Sequence, residues 1–400
     1  MKKPKVRLGY LVSHPIQYQA PLLREIAQEL DIELTVYFRS DISTKEYQDH
    51  EFGVKVLWDL DLLSGYKHIF LPKLFTNKSI GFFSPINFGV LKFLQDAEIN
   101  ILWIHGWGSW TNIYAIFCAK FLKIPVLIRG ESSLLIQKNL WIKQKIKDYF
   151  LKFLFKHIKI FLAIGSANKE FYLHYGVKQE NIFNMPYAVD NHRIQQERPT
   201  SCNDLRDKLK IDSNRDVLLY VGKLTQRKRV LDLMWAYINL SHERLESRLP
   251  YLLIVGDGEC MEELRQLQLQ HNLEGVRIVG FKNQTELPTY FHIADVFIMP
   301  SIAEPWGLVL NEAMCCQCAI LASDEVVAAK DLVQNGVNGF IFKAGNVADL
   351  TYYLSKILSD SELISAMGLN SAKLISKWSY REDIQAIKDV ILYLEAENEI

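Results

Sequence analysis

Two glutamates and two lysines in this 400-residue chain have types and spacings that could do chemistry. Glu304 lies in a short loop, Ile302 to Trp306, which follows the apolar run Val296 to Met299 and a Pro300-Ser301 stop. Glu312 lies one turn into the apolar segment Gly307 to Gln317, four residues from Leu308 and on the same helical face. That helix is apolar nearly all round, so it should be buried, and a lone carboxylate there is costly unless something hydrogen-bonds it. The open amides of residues 306–308 would attract an anion such as phosphate. Carboxylates at both ends and anion-binding amides between them suit a nucleotide sugar, with its hydroxyls flanking a diphosphate. The same residues admit a plainer reading, in which Glu304 is solvated and Glu312 pairs with a core lysine or arginine.

Upstream, Gly222 closes the apolar run Val217 to Val221, followed by Lys223 and, five residues later, by Lys228 at a helix opening. A turn glycine, two cations and a helix start make a diphosphate clamp; two lysines of a surface loop would look the same. Gly256-Asp257-Gly258 is not a dinucleotide fingerprint, because Met261 stands at the third glycine position. His105, Arg129 and Glu131 each fall just past a strand end, the edge where open α/β sheets bind ligands. The Asp-Leu-Asp at 59–61 could hold a metal but follows no buried strand, so it reads as a loop. Cys315, Cys316 and Cys318 lack a partner pair or a nearby histidine and read as structural thiols in a reducing compartment.

The elements that must position these groups alternate. Strands are expected at Val6–Val12, Ile32–Phe38, 101–104, 125–128, 160–164 and 181–185, and then at Val217–Val221, 252–255, 276–279, Val296–Met299 and 319–322. Helices fall between most of them, and residues 40–85 are expected to be irregular. The polar stretch 186–213 reads as a linker. The chain then divides into an N-terminal domain, 1–195, and a C-terminal domain, 196–379, with a last helix at about 380–400. Residues 138–159 carry seven lysines against Asp148 alone, with aromatic and aliphatic residues at helical spacing. That suits either a helix on an anionic membrane surface or a core-packed helix with a solvated lysine face.

The totals agree with two domains, since one core seldom grows beyond roughly 250–300 residues. Forty-six basic and 46 acidic residues cancel, which leaves no global field for nucleic acid. No apolar run is long enough for a signal peptide or a spanning helix, so a cytoplasmic location is expected.

Several segments together resemble the retaining, GT-B-fold glycosyltransferases of family 4. They are VGKLTQRK (221–228), IVGDGE (254–259), GF (280–281), YFHIADVFIMPS (290–301) and EPWGLVLNEAM (304–314). The resemblance implies an α/β protein with two facing Rossmann-like, doubly wound domains and a final helix crossing back onto the N-terminal one. It implies sugar transfer from a nucleoside diphosphate with retention at the anomeric carbon and no obligatory metal or other cofactor. Carried over by position, Lys223 and Lys228 bind the diphosphate, with Gly222 and Gly256 close by. Trp306, Gly307 and Leu308 offer amides to phosphate, Glu304 meets the donor sugar and Glu312 the ribose. His105 matches the active-site histidine, and His105, Glu304 and Lys228 form the catalytic set. The chain departs from the family at Ser13–Tyr18, where a Gly-Gly loop is usual, and at Gln317, Ala319 and 327–331. His14, Gln17, Tyr18, Arg129 and Glu131 are the acceptor-side candidates.

The function expected is transfer to a hydroxyl of a glycan, lipid-linked or small-molecule acceptor, in envelope or extracellular polysaccharide synthesis. Residues 138–159 would rest on the inner membrane surface. A nucleotide-sugar epimerase or hydrolase on the same fold, or a silent sugar-nucleotide-binding protein, are the alternatives. Retention of all five of His105, Lys223, Lys228, Glu304 and Glu312 argues against the silent form.

Overall fold

The computed structural model describes residues 5–49, 53–74, 81–136, 141–196, 202–243 and 249–400. The chain forms two α/β units. The first comprises Met1–Tyr47, Leu60–Tyr187 and Tyr380–Ile400, and the second Gln48–Asp59 and Ala188–Ser379. The division at Tyr187 comes eight residues before the boundary at 195 read from the sequence, and Gln48–Asp59 groups with the second unit despite its position in the chain.

In the first unit, β1 (Val6–Val12), β2 (Ile32–Phe38), β5 (Lys67–Phe70), β6 (Ile101–His105), β7 (Val126–Arg129), β8 (Ile160–Ala163) and β9 (Ile182–Asn184) form one sheet. Their order is β5-β2-β1-β6-β7-β8-β9, and every pairing is parallel. Among the described residues, the short strands β3 (Tyr47–Gln48) and β4 (Lys55–Val56) form a separate two-stranded sheet. In the second unit, β10 (Val217–Val221), β11 (Tyr251–Val255), β12 (Val276–Ile278), β13 (Val296–Met299), β14 (Ala319–Ser323) and β15 (Gly339–Phe342) run in the order β12-β11-β10-β13-β14-β15, again all parallel. Both sheets are doubly wound. Strands such as β10, β11, β13 and β14 are buried along their whole length, which is why they read as unbroken apolar runs rather than alternating ones.

Each unit has its own core. Leu11, Ile104, Ile116, Ile128, Leu154 and Phe171 pack together in the first. Leu218, Met234, Ile254, Ile298, Leu321 and Leu350 do so in the second. The last helix, Tyr380–Ala396, belongs to the first unit and docks there through Tyr380, Ala386, Ile387, Val390 and Leu394, all buried.

Two stretches differ from their sequence reading. Residues 40–85, read as irregular, supply β5, because Lys67–Phe70 can pair with the edge of β2 although it is only half-buried. The polar stretch 186–213, read as a linker, carries the helices Asn191–Gln196 and Cys202–Leu209. Ile194 is fully enclosed, and the Asn191 side-chain amide donates to the carbonyls of Ile375 and Trp378. One apolar residue per turn is enough to pin so short a helix, and it leaves no periodic signal to read.

Candidate functional site

Strand order fixes where side chains can gather. In a doubly wound sheet the crevice opens at the carboxyl ends of the strands where the order reverses. In the first sheet that point is β1 beside β6, which delivers Ser13–Tyr18 and His105. In the second it is β10 beside β13, which delivers Gly222–Lys228 and the loop holding Glu304.

In the second unit, Gly222 and Gly256 end adjacent strands with φ of 158° and 146°. A Cβ on Gly256 would lie 1.8 Å from the Gly222 carbonyl oxygen. Only glycine permits so close an approach of the two strand ends, and this keeps the crevice floor bare. Lys228 closes a short 3₁₀ turn, Gln226–Lys228, ahead of the helix Val230–Glu243. Its ammonium donates to a Glu304 carboxylate oxygen, and Arg227 lies 3.5 Å from the same oxygen. Glu304 is therefore buried and ion-paired, not solvated. Lys223 Nζ meets both carboxylate oxygens of Asp49 at 3.2 Å. Asp49 comes from the Gln48–Asp59 segment, which is also held by Asn283, donating to the Leu57 carbonyl, and by Thr285, donating to Asp59.

The helix after Glu304 runs from Leu308 to Cys315, with Gly307 as its left-handed N-cap at φ 98°. Its first amides, at Leu308 and Val309, have no carbonyl one turn back within the helix. The Trp306 side chain is interior: its Nε1 donates to Asn311 Oδ1 at 3.2 Å, and its ring stacks on Trp378 at 5.4 Å. Glu312 is half-buried. Burial pushes its carboxyl up to about 7, and the Arg193 charge draws it back. Arg193 sits on the helix Asn191–Gln196, inside the stretch read as a linker, so nothing in the sequence marked it as the neighbour of Glu312.

In the first unit, His105 ends β6 and is the hub of a polar network. Its Nδ1 lies 3.1 Å from the Tyr10 hydroxyl and 3.3 Å from Gln19 Nε2, and its Nε2 lies 3.2 Å from the Tyr187 hydroxyl. The His105 and Tyr187 rings are parallel, with centroids 6.4 Å apart. Tyr187 donates to Glu131 at 2.9 Å, and Tyr10 donates to Gln19 at 3.0 Å. Burial, aided by the charges of Arg129 and His14, lowers His105 to about 3, so its ring is neutral. Burial and Arg39 lower His14 to about 4.

The acceptor-side candidates fall in different places. His14, Gln17 and Tyr18 are half-buried. Ser13 Oγ lies 2.8 Å from His14 Nδ1, and the Tyr18 ring stands edge-on to Tyr187. Glu131 is exposed. Arg129, by contrast, is turned inward: its side chain is 3% exposed, and it donates to Asp383 at 3.1 Å and to the carbonyls of Met185 and Pro186. Its guanidinium also lies over the Tyr187 ring, 4.8 Å from the centroid. Tyr10, Gln19, Tyr187 and Asp49 belong to no recognisable motif, so their residue types and local spacing do not mark them. Among the described residues no group of three or more histidines, cysteines or carboxylates is placed to hold a metal ion. The described cysteines are free, and Cys315, Cys316 and Cys318 are buried.

Residues 202–374, which carry the lysine and glutamate cluster, match the family model described as glycosyl transferases group 1. The chain is 22% identical to alpha-D-kanosaminyltransferase of Streptomyces kanamyceticus over 268 residues, 65% of this chain and 68% of that protein. It is 28% identical to alpha-monoglucosyldiacylglycerol synthase of Acholeplasma laidlawii over 193 residues, and so spans just under half of that relative's length, 46%. Among solved structures, Anabaena HepE in complex with UDP superposes with a TM-score of 0.73 at 17% identity, over 98% of this chain and 100% of that one. At that identity the likeness carries the fold alone, which is GT-B.

Proposed function

We propose that this chain is a retaining, metal-independent glycosyltransferase that moves a sugar from a nucleoside-diphosphate sugar to a hydroxyl of a glycan, lipid-linked or small-molecule acceptor. The observation that carries the reading is the convergence of Lys223, Lys228, Glu304 and a helix start on one sheet's switch point, within the residues that match the family model. UDP in HepE and the sugar-transferring names of the two relatives agree with it.

Departure of a nucleoside diphosphate builds negative charge on the leaving phosphate and oxocarbenium character on the sugar. Cations that meet that charge as it grows lower the barrier. Both lysines are held by carboxylates, Lys228 by Glu304 and Lys223 by Asp49. An incoming diphosphate would take over both ammonium groups, and Glu304, released from Lys228, would turn to the donor sugar's hydroxyls. Gly222 and Gly256 would let the phosphates approach the backbone, and the amides from Trp306 to Leu308 would meet them. Glu312 would take the ribose, and neutral His105 would act beside the sugar as a hydrogen-bonding group. His14, Gln17, Tyr18 and Glu131 would line the acceptor side, with Arg129 holding Tyr187 in place.

The reading extends to a cytoplasmic enzyme of envelope or extracellular polysaccharide synthesis that rests on an anionic membrane. No helix among the described residues is long and apolar enough to cross one. The helix Trp141–Phe155 leaves Trp141 and Tyr149 67% and 77% exposed, beside the exposed Lys143, Lys145 and Lys152, while Leu151 and Leu154 face the core. Residues 138–140 of the lysine-rich stretch lie outside the described residues. Aromatic rings among lysines on one helix suit an interfacial surface.

A thermal-shift panel of UDP-, GDP- and ADP-sugars, with and without Mg²⁺, tests the donor site. A ligand at 100 times its Kd stabilises the folded state by about 2.7 kcal/mol. A shift with one nucleotide, unchanged by Mg²⁺ and lost in Lys228→Ala, is expected. Silence across the panel, joined to absence of donor hydrolysis, would overturn the reading.

A further inference from the structure

The hydrogen-bond partners of His105 bear on which of its ring nitrogens carries the proton. A tyrosine has one hydroxyl proton and two acceptor lone pairs, and a carboxylate only accepts. Tyr187 therefore gives its proton to Glu131 Oε1, the nearer and more strongly accepting partner at 2.9 Å, and not to His105 at 3.2 Å. Facing an oxygen with no proton to offer, His105 Nε2 must be the donor. On the other side, the Tyr10 proton goes to Gln19 Oε1, and the Gln19 Nε2 amide, 3.3 Å from Nδ1, is the group that can donate to a bare nitrogen.

We infer that Glu131 and Tyr187 are positioning residues that fix His105 as the Nε2–H tautomer, so that the histidine serves as a hydrogen-bond donor and not as a base. The geometry around the pair supports a fixed ring. Tyr187 lies parallel to the imidazole, and the Arg129 guanidinium covers the Tyr187 ring. The Asn112 side-chain amide pins the His105 and Gly106 carbonyls, both at 2.9 Å. Nδ1, the basic nitrogen, is turned toward the buried Tyr10. Nε2–H points to the Tyr187 oxygen, and a sugar hydroxyl arriving there would share or replace that oxygen as acceptor. The catalytic meaning of this arrangement rests on the placement of His105 at the donor sugar proposed above; the tautomer itself does not.

The test is a long-range ¹H–¹⁵N correlation spectrum of the ¹⁵N-histidine-labelled full chain, without ligand and near neutral pH, with His105 assigned by its absence from His105→Asn. The wild-type protein is expected to show Nε2 protonated and Nδ1 bare. In Glu131→Ala, Tyr187 loses its carboxylate and donates to Nε2 instead, so the ring is expected to invert to Nδ1–H. Tyr187→Phe keeps the stacked ring but removes the oxygen, and both tautomers are expected. A wild-type Nδ1–H ring, or an unchanged Nε2–H ring in both variants, would overturn the inference. These spectra need no donor, so they stand apart from the transfer assay. A correct tautomer switch combined with a fully active His105→Asn would overturn only the catalytic role, and a tautomer unchanged in both variants with donor binding intact would overturn only the positioning role of Glu131 and Tyr187.

Discussion

Lys228 and Glu304 form a pair with side chains 15% and 10% exposed, enclosed enough that removing one charge leaves the other badly solvated. The conservative probe is therefore Glu304→Gln, which keeps the shape and one acceptor oxygen for Lys228. Transfer is expected to fall at least about a hundredfold, in line with the loss of one preorganised polar contact, while the circular dichroism spectrum is unchanged. A variant with full activity would remove Glu304 from the mechanism. Glu312 yields a pH prediction. Its carboxyl rises from the ordinary 4.5 to about 7 in the folded chain, so the folded state holds the proton more tightly between those values. Its contribution to stability is complete below about pH 4.5 and is lost as pH rises through 7. His14 and His105, lowered to about 4 and about 3, act in the opposite sense and are common to both proteins in a comparison. Glu312→Gln should thus gain on the wild type as pH rises from 5 to 8, by on the order of 3 kcal/mol at the limit. Paired urea titrations at the two pH values measure this, and a constant difference would refute it.

At the scale of elements, the last helix is held to the first unit by a buried ion pair. Arg129 at the end of β7 and Asp383 in the first turn of Tyr380–Ala396 are 3% and 1% exposed. Burial pushes Asp383 up to about 7, and Arg129 pulls it back. Such a pair is weak evidence of net stability, but breaking it from one side is expensive. Arg129→Met should cost about 3–5 kcal/mol in the unfolding of this unit. The double variant Arg129→Met/Asp383→Leu should recover most of that loss, because two apolar side chains leave no buried charge. If the double variant is no better than the single, the carbonyls of Met185 and Pro186, and not Asp383, are what Arg129 serves.

For the whole molecule, the surface bearing Trp141, Tyr149, Phe153 and Lys143, Lys145 and Lys152 belongs to the first unit, together with the exposed Phe117 and Phe121 of the helix Trp110–Phe121. The net charge is zero, so attraction to an anionic bilayer needs a local cluster of lysines such as this one. Co-sedimentation with vesicles containing phosphatidylglycerol should be strong at low salt, weaken as salt screens the lysines, and fall in Lys143→Glu/Lys145→Glu. Absence of binding at low salt would end the membrane reading without touching the donor site.

Much of this protein was legible in the sequence because parallel strands buried on both faces must be unbroken apolar runs. Val6–Val12, Ile32–Phe38, Val217–Val221 and Val296–Met299 could be read to the residue, and with them the strand ends that carry His105, Lys223, Lys228 and Glu304. The half-buried β5 and the helix Asn191–Gln196 were not, since a short element held by a neighbour needs no periodicity of its own. Pairing was hidden for the same reason. Asp49 on Lys223, Tyr187 on His105, Arg193 near Glu312 and Asp383 on Arg129 are separated by between 82 and 254 positions in chain order. Residue type and local spacing set what each side chain could do. Only the folded arrangement decided which charges neutralise one another, because burial and proximity are properties of the packed molecule and not of any segment.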